Sequence, residues 1–126
     1  MSDGHGTDHW PVELRLKTAE KALEIDFDDG ASFRLAAEYL RVESPSAEVQ
    51  GHGPGQRQLV PGRAAVGILR LEPVGNYAVR IVFDDHHDTG IYSWSYLYQL
   101  GREHARRWRD YVDGLARAGL SREPGR

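Results

Sequence analysis

The strictest constraint in this sequence is a period of two that recurs through its front third. Val12, Leu14 and Leu16 alternate with Glu13, Arg15 and Lys17. After a polar turn from Thr18 to Lys21, Leu23, Ile25 and Phe27 alternate with Glu24, Asp26 and Asp28. Successive side chains of a strand point to opposite faces, so each segment reads as a strand with one apolar and one wet face. Asp28-Asp29-Gly30 supplies a tight turn, because glycine accepts positive φ. Ser32 to Leu35 then forms a third, short strand. The three together make an antiparallel meander with one solvated face.

The pattern changes further on. Ala36 to Leu40 holds one or two helical turns, and Glu43 to Arg63 is rich in glycine and proline and reads as a long, mobile loop. Val66 to Val74 is a strand with Pro73 near its end, where a missing N–H costs little. Gly75-Asn76 turns the chain into Tyr77, Val79, Ile81 and Phe83, whose alternate face includes Val82, as in a central strand. Asp84 to Gly90 is a polar loop. Ser93 is placed to cap a long helix on which Trp94, Leu97, Gly101, Trp108, Tyr111 and Leu115 recur every three or four residues, with Gly114 and Gly119 as stop signals. The expected architecture is α+β: a mainly antiparallel β-sheet, a long C-terminal helix and a long mobile central loop. Residues 11–119 form one domain, with disordered tails at 1–10 and 120–126.

Composition narrows the chemistry. The chain of 126 residues has no cysteine, which excludes thiolate nucleophiles, disulfides and zinc–thiolate sites within it. Its net charge of −3 provides no global attraction for nucleic acid, and no nucleic-acid partner is expected. The charge is uneven: five basic residues face eleven acidic ones over 1–50, and seven arginines face four carboxylates over 102–126. No apolar stretch approaches a membrane span, and Met1 to Trp10 resembles no secretory leader, so a cytoplasmic location without membrane contact is expected.

The densest polar cluster is Asp84, Asp85, His86, His87 and Asp88, residue types that ligate divalent ions. A solvated loop between strand and helix explains the same string. His5 and His9 fall in the tail, His52 lies in the glycine-rich loop, and His104 sits on the apolar stripe as a boundary residue. Gly51-His52-Gly53-Pro54-Gly55 lacks the lysine and the strand–helix frame of a phosphate loop. Ser44 and Ser46 lack the frame of a nucleophile elbow. No catalytic constellation and no cofactor are expected. Trp94 and Trp108 read as core. Tyr96 and Tyr98 cannot both lie on the buried stripe, so one is expected to be available to a partner. Arg102, Arg106 and Arg109 could meet phosphates, but Glu103, Asp110 and Asp113 dilute them.

The strings Val74-Gly75-Asn76-Tyr77-Ala78-Val79-Arg80-Ile81, Phe83-Asp84-Asp85, His87 and Thr89-Gly90-Ile91-Tyr92-Ser93-Trp94 resemble the gamma-butyrobetaine hydroxylase-like N-terminal domain family. Asp29-Gly30 at the first hairpin and Leu40-Arg41 before the loop agree, and the resemblance spans Pro11 to Leu100. It implies an appendage found at the front of hydroxylases, fused to iron–sulfur carrier ATPases, or alone in small bacterial proteins. The hydroxylases' catalytic iron site lies in a separate, later domain. The resemblance also implies a family zinc site of three cysteines, in a C-P-C-x-x-C run, and a histidine. Here that run reads Ser44-Pro45-Ser46-Ala47-Glu48-Val49, and only His87 matches. Serine is a poor zinc ligand and valine is none, so no metal is expected at Ser44, Ser46, Val49 and His87.

These readings favour a non-catalytic accessory or protein-interaction module, linked by the resemblance to iron–sulfur protein maturation. Its partner would meet Asp85, His87, Tyr92, Tyr96 and Arg102. Two alternatives remain: a small metal-binding protein using Asp85-His86-His87-Asp88, and an RNA or phosphate binder using the arginine-rich helix.

Overall fold

The computed structural model describes residues 9–51, 55 and 57–124. Strands β1 (Pro11–Lys17), β2 (Ala22–Phe27) and β3 (Ser32–Ala36) form the expected meander, with β2 in the middle. Leu14 faces Ile25 and Leu16 faces Leu23 across the first pair, so the period of two delivers Leu23, Ile25 and Phe27 to one buried face. The wet face is laced by ions: Arg15 bonds Glu24 and Asp26, and Arg34 bonds Glu20 and Glu24. Gly30 has φ +90°, as its turn requires, and Lys21 takes φ +55° at the first hairpin.

The sheet does not continue into the second half. Strands β4 (Ile68–Val74), β5 (Ala78–Phe83) and β6 (Ile91–Ser93) form a second antiparallel sheet in the order β4-β5-β6. Pro73 sits on β4, an edge strand, where its missing donor breaks no ladder on the open side. Val79, Ile81 and Phe83 point into the core, and Val82 on the other face is also buried. The three-residue β6 is too short to show a period, which is why its pairing with β5 was not foreseen.

Four helices complete the fold: α1 (Ala37–Val42), α2 (Ala47–Gln50), α3 (Trp94–Arg102) and α4 (His104–Ala118). Ser93 caps α3 as expected, its Oγ accepting from Tyr96 N at 3.1 Å. The expected long C-terminal helix is present as α4, but the start read at Ser93 belongs to a separate helix, α3, parted from it where Glu103 takes φ −102° and ψ 15°. Just before the break, a β-carbon at Gly101 would stand 2.4 Å from the Phe33 ring, so only glycine lets α3 lie this close to β3. Gly119, at φ +70°, ends α4 with paired bonds from Gly119 N to Ala116 O and Leu120 N to Leu115 O.

The core lies between the two sheets, α1 and α3 and includes Leu23, Ile25, Leu35, Leu40, Ile81, Phe83, Leu97 and Leu100. Burial of each such side chain contributes about 1.5–3 kcal/mol. Trp94 and Trp108, read as core, are half-buried against it. Among the described residues, no helix is long and apolar enough to cross a membrane.

Two segments differ from expectation. The stretch from 43, read as one irregular loop, opens with α2, and Ser44, Ser46 and Val49 are buried. The segment from 120, read as a frayed tail, lies against the body as far as 124. Gly62 N donates to Ser121 O and Ala64 N to Arg122 O, both at 2.9 Å. Arg122 also grips buried Glu38 with two 2.8 Å bonds and stands 5.2 Å over the Trp108 ring.

Candidate functional site

The residues of the resembled zinc site come together from two segments. One is the exit of α1 through α2; the other is the loop between β5 and β6. Three tyrosine hydroxyls fix α1 and its exit. Tyr39 donates to Leu100 O at 2.6 Å, Tyr92 to Leu40 O at 2.5 Å, and Tyr96 to Glu43 O at 2.6 Å. Burial pushes the phenols of all three up, so they remain donors.

On this frame Ser44 Oγ lies 2.9 Å from His87 Nε2, and Glu48 Oε1 lies 3.1 Å from His87 Nδ1. Ser46 N donates to Ser44 Oγ, while Ser46 Oγ caps Glu48 N and bonds Thr89 Oγ1 at 2.7 Å. Val49 fills the remaining position with a buried apolar side chain. On the loop, His86 turns the chain at φ +76°, Phe83 N donates to His87 O, and His87 N donates to Asp85 Oδ1. Ser44 to His87 and Ser46 to Thr89 therefore join the two segments through hydrogen bonds. The donor set does not fit zinc: two hydroxyls are spent in bonds and valine offers no lone pair.

Serine, histidine and carboxylate are joined here through the same two ring nitrogens as in a nucleophile–base–acid relay. Ser44 has no exposed surface, however. A β-carbon at Gly90 would lie 2.5 Å from its Oγ, so the loop backbone seals the hydroxyl from any substrate in this conformation. Burial, and next the nearby Arg41 guanidinium, push the His87 pKa below the ordinary histidine value, against the pull of Glu48 and Asp85. The ring is neutral at pH 7. Asp85 is pushed up by burial, but the His87 N–H and Arg41 outweigh this and hold its pKa below the usual carboxylate range.

The loop string Asp85-His86-His87-Asp88 does not converge. Asp85 faces Arg41 and Arg63, His86 points into solvent, His87 turns inward, and Asp88 lies beside Arg80. Among the described residues, no three of His, Asp or Glu gather as metal ligands. The expected partner surface also divides. Tyr92 and His87 are buried and cannot be contact residues, because the first anchors α1 and the second bonds Ser44. Asp85 and Tyr96 are half-buried, and Arg102 is exposed with its Nη1 3.3 Å from Tyr98 OH. Tyr96 and Tyr98 both pack on the protein, so neither is free as expected. His104 is exposed but leans on Tyr39 and stacks on Trp108, as a boundary residue should. Arg106 is paired with Glu103 and Asp110. His9 stacks on Tyr98 with ring centroids 3.5 Å apart, although it was read as part of the tail. His5, His52, Gly53 and Pro54 lie outside the described residues.

Sequence reasoning missed Glu48, Thr89 and Arg63. Glu48 lies on α2 and Ser44 before it, so only the fold brings both to His87; no local signal points to Glu48, Thr89 or Arg63.

A family model described as gamma-butyrobetaine hydroxylase-like, N-terminal, matches residues 14–98. Two solved structures, both determined in solution by NMR, are similar to the chain. One is 44% identical, with a TM-score of 0.82, over 94% of this chain and 93% of that one. The other is 48% identical, with a TM-score of 0.81, over 98% and 92%. A crystal structure from Acidithiobacillus ferrooxidans, of a protein with unknown function in the DUF971 family, is 40% identical with a TM-score of 0.61 over 72% of this chain and 91% of that one. No curated protein matches.

Proposed function

Because the chain belongs to the gamma-butyrobetaine hydroxylase-like N-terminal family, we propose that it is a non-catalytic accessory module that acts by recognising a protein partner. The observation that carries this reading is the sealed Ser44–His87–Glu48 chain. Among the described residues, this constellation with the parts for nucleophilic chemistry has its hydroxyl closed off by Gly90 and ties the β5–β6 loop to the stretch before α2. A rigid loop with exposed His86, Thr89 and Ile91 suits recognition. Asp85, Tyr96 and Arg102 extend the proposed surface, while His87 and Tyr92 support it from beneath.

The link to iron–sulfur protein maturation rests on the family resemblance alone, and a carrier ATPase of that machinery is the first partner to test. The test is titration calorimetry of the purified chain against such an ATPase, with Ile91→Asp as the surface variant. Saturable binding weakened about tenfold by Ile91→Asp, with an unchanged unfolding midpoint, supports the reading; tenfold corresponds to about 1.4 kcal/mol. Absence of binding removes this partner class, and turnover of any substrate by the isolated chain overturns the non-catalytic role.

A further inference from the structure

Residues 120–124 lie on the body without adding to its core. Gly119, at φ +70°, turns them off α4, and every residue from Leu120 to Pro124 is exposed. Beyond the helix cap, two amides and one side chain make the bonds between this segment and the body among the described residues. Gly62 N donates to Ser121 O and Ala64 N to Arg122 O. The Arg122 guanidinium donates from Nε and Nη2 to the two oxygens of Glu38 and lies over the Trp108 ring.

The groups that receive the segment are a reader of arginine, and none of them belongs to the segment. Glu38 sits on α1 and is 6% exposed, so its carboxylate is presented from within the body. A carboxylate paired through both oxygens selects a guanidinium over an ammonium, and an aromatic face attracts the same cation. Main-chain donors hold an extended segment by its carbonyls whatever its side chains are. The segment also fills its groove incompletely. It shares a cavity of about 590 Å³ with Pro61, Gly62 and Arg63, and another of about 290 Å³ with Val112, Leu115 and Ala116 of α4. Leu120 and Val112 leave apolar surface exposed along it.

We propose that this groove is a docking site for an extended, arginine-bearing segment of a partner protein, and that residues 120–124 are its internal occupant, released by turning about Gly119. The pairing within the chain states the chemistry of the ligand. An arginine seats on Glu38 and Trp108, its own carbonyl meets Ala64 N, and the carbonyl before it meets Gly62 N. Glu38 repels an acidic side chain at the arginine position. The two cavities leave room for side chains larger than Leu120 and Ser121 on either side. A tethered occupant competes at an effective concentration of roughly millimolar, so the site is masked until the segment lifts. This surface is separate from the β5–β6 loop and does not rest on the role proposed for that loop.

The probe is the blocked peptide Gly-Leu-Ser-Arg-Glu-Pro, titrated into the isotopically labelled full chain and into its Arg122→Ala variant and followed by NMR. The expected result is saturable shifts at Gly62, Ala64 and the Trp108 indole. Binding is expected to be at least tenfold tighter in Arg122→Ala than in the unmodified chain, and tenfold or more weaker when glutamine replaces the peptide's arginine. Hydrogen exchange in the unmodified chain is a second measure that needs no variant. Gly62 and Ala64 are expected to exchange at least tenfold faster than Ile81 and Phe83 of β5, because the segment lifts without the body unfolding. Exchange of Gly62 and Ala64 at the rate of β5 overturns the proposal. So does peptide binding that ignores the arginine, that is no tighter in folded Arg122→Ala, or that gathers its shifts on His86, Thr89 and Ile91. A dimer formed by exchanging the segment between copies, in place of peptide capture, also overturns it.

Discussion

Ser44 Oγ and His87 Nε2 meet at 2.9 Å with neither side chain reaching solvent to any useful extent. Forty-three positions separate them in sequence, and their bond joins the start of α2 to the loop that leads into β6. Deleting it strands two buried groups, His87 Nε2 and the Ser46 N–H. Ser44→Ala is expected to destabilise the fold by about 1–3 kcal/mol, the cost of leaving buried polar groups unmet. Urea unfolding followed by tryptophan fluorescence measures this; a change within error of zero refutes the linking role.

The pH dependence follows from the same ring. The folded pKa of His87 lies below its unfolded value, near 6.5, because burial and Arg41 oppose the charged form. Folding thus favours neutral His87. Above about pH 6.5 the ring is neutral in both states and contributes no slope; as pH falls below that value, the unfolded chain takes up the proton first and stability is lost. Asp85 has the opposite linkage: its depressed pKa adds stability above the ordinary aspartate range, lost only as pH falls through the folded value. Melting temperatures between pH 5 and 8 are expected to decline on the acid side, and His87→Gln to flatten that decline. An equally steep decline in the variant assigns it to other groups.

Arg122 ties the end of the described chain to Glu38, a carboxylate 6% exposed. Arg122→Ala leaves that carboxylate without its partner. Arg122 itself is 45% exposed at its side chain, which reduces the effect from the full cost of breaking a buried pair to about 1–3 kcal/mol. Urea unfolding gives the loss directly. Hydrogen exchange at Gly62 and Ala64, which donate to the carbonyls of Ser121 and Arg122, is expected to accelerate at the same time.

Installing thiols tests the zinc donor set that the family resemblance implies. The triple variant Ser44→Cys, Ser46→Cys, Val49→Cys places three sulfurs beside His87, the donor set that the family resemblance implies for zinc. Zinc is expected to raise its melting temperature by more than 5 °C, roughly the effect of a site that binds tightly at micromolar metal. Wild type is expected to show no such rise. A triple variant indifferent to zinc means that the two segments do not hold the tetrahedral arrangement.

The strands were legible because the period of two in Val12–Lys17 and Leu23–Phe27 survives wherever one sheet face meets water. Ser93 and Gly119 marked helix ends through chemistry confined to a few neighbouring residues. The break at Glu103 was hidden, since it interrupts no apolar spacing and the approach of Phe33 to Gly101 is a contact across 68 positions. Tyr92 was misread as a surface residue for a similar reason: its alternation partner on β5, Val79, lies in another segment, and only pairing reveals the buried face. The gathering of Ser44 and Ser46 near His87 was implied by the family resemblance and by nothing local, and the Ser46–Thr89 bond was not implied at all. Glu48 and Arg63 join their sites through folding alone.

Three phenol hydroxyls clamp α1 and its exit: Tyr39 reaches out from α1 to Leu100 O on α3, while Tyr92 reaches in from β6 and Tyr96 from α3. Their acceptors are backbone carbonyls outside positions 44 to 49, and of the three only Tyr92 also meets the Ser44 side chain. The stretch is a cartridge in a holder: its backbone ends are gripped at the carbonyls of Leu40 and Glu43, while its side chains face the β5–β6 loop.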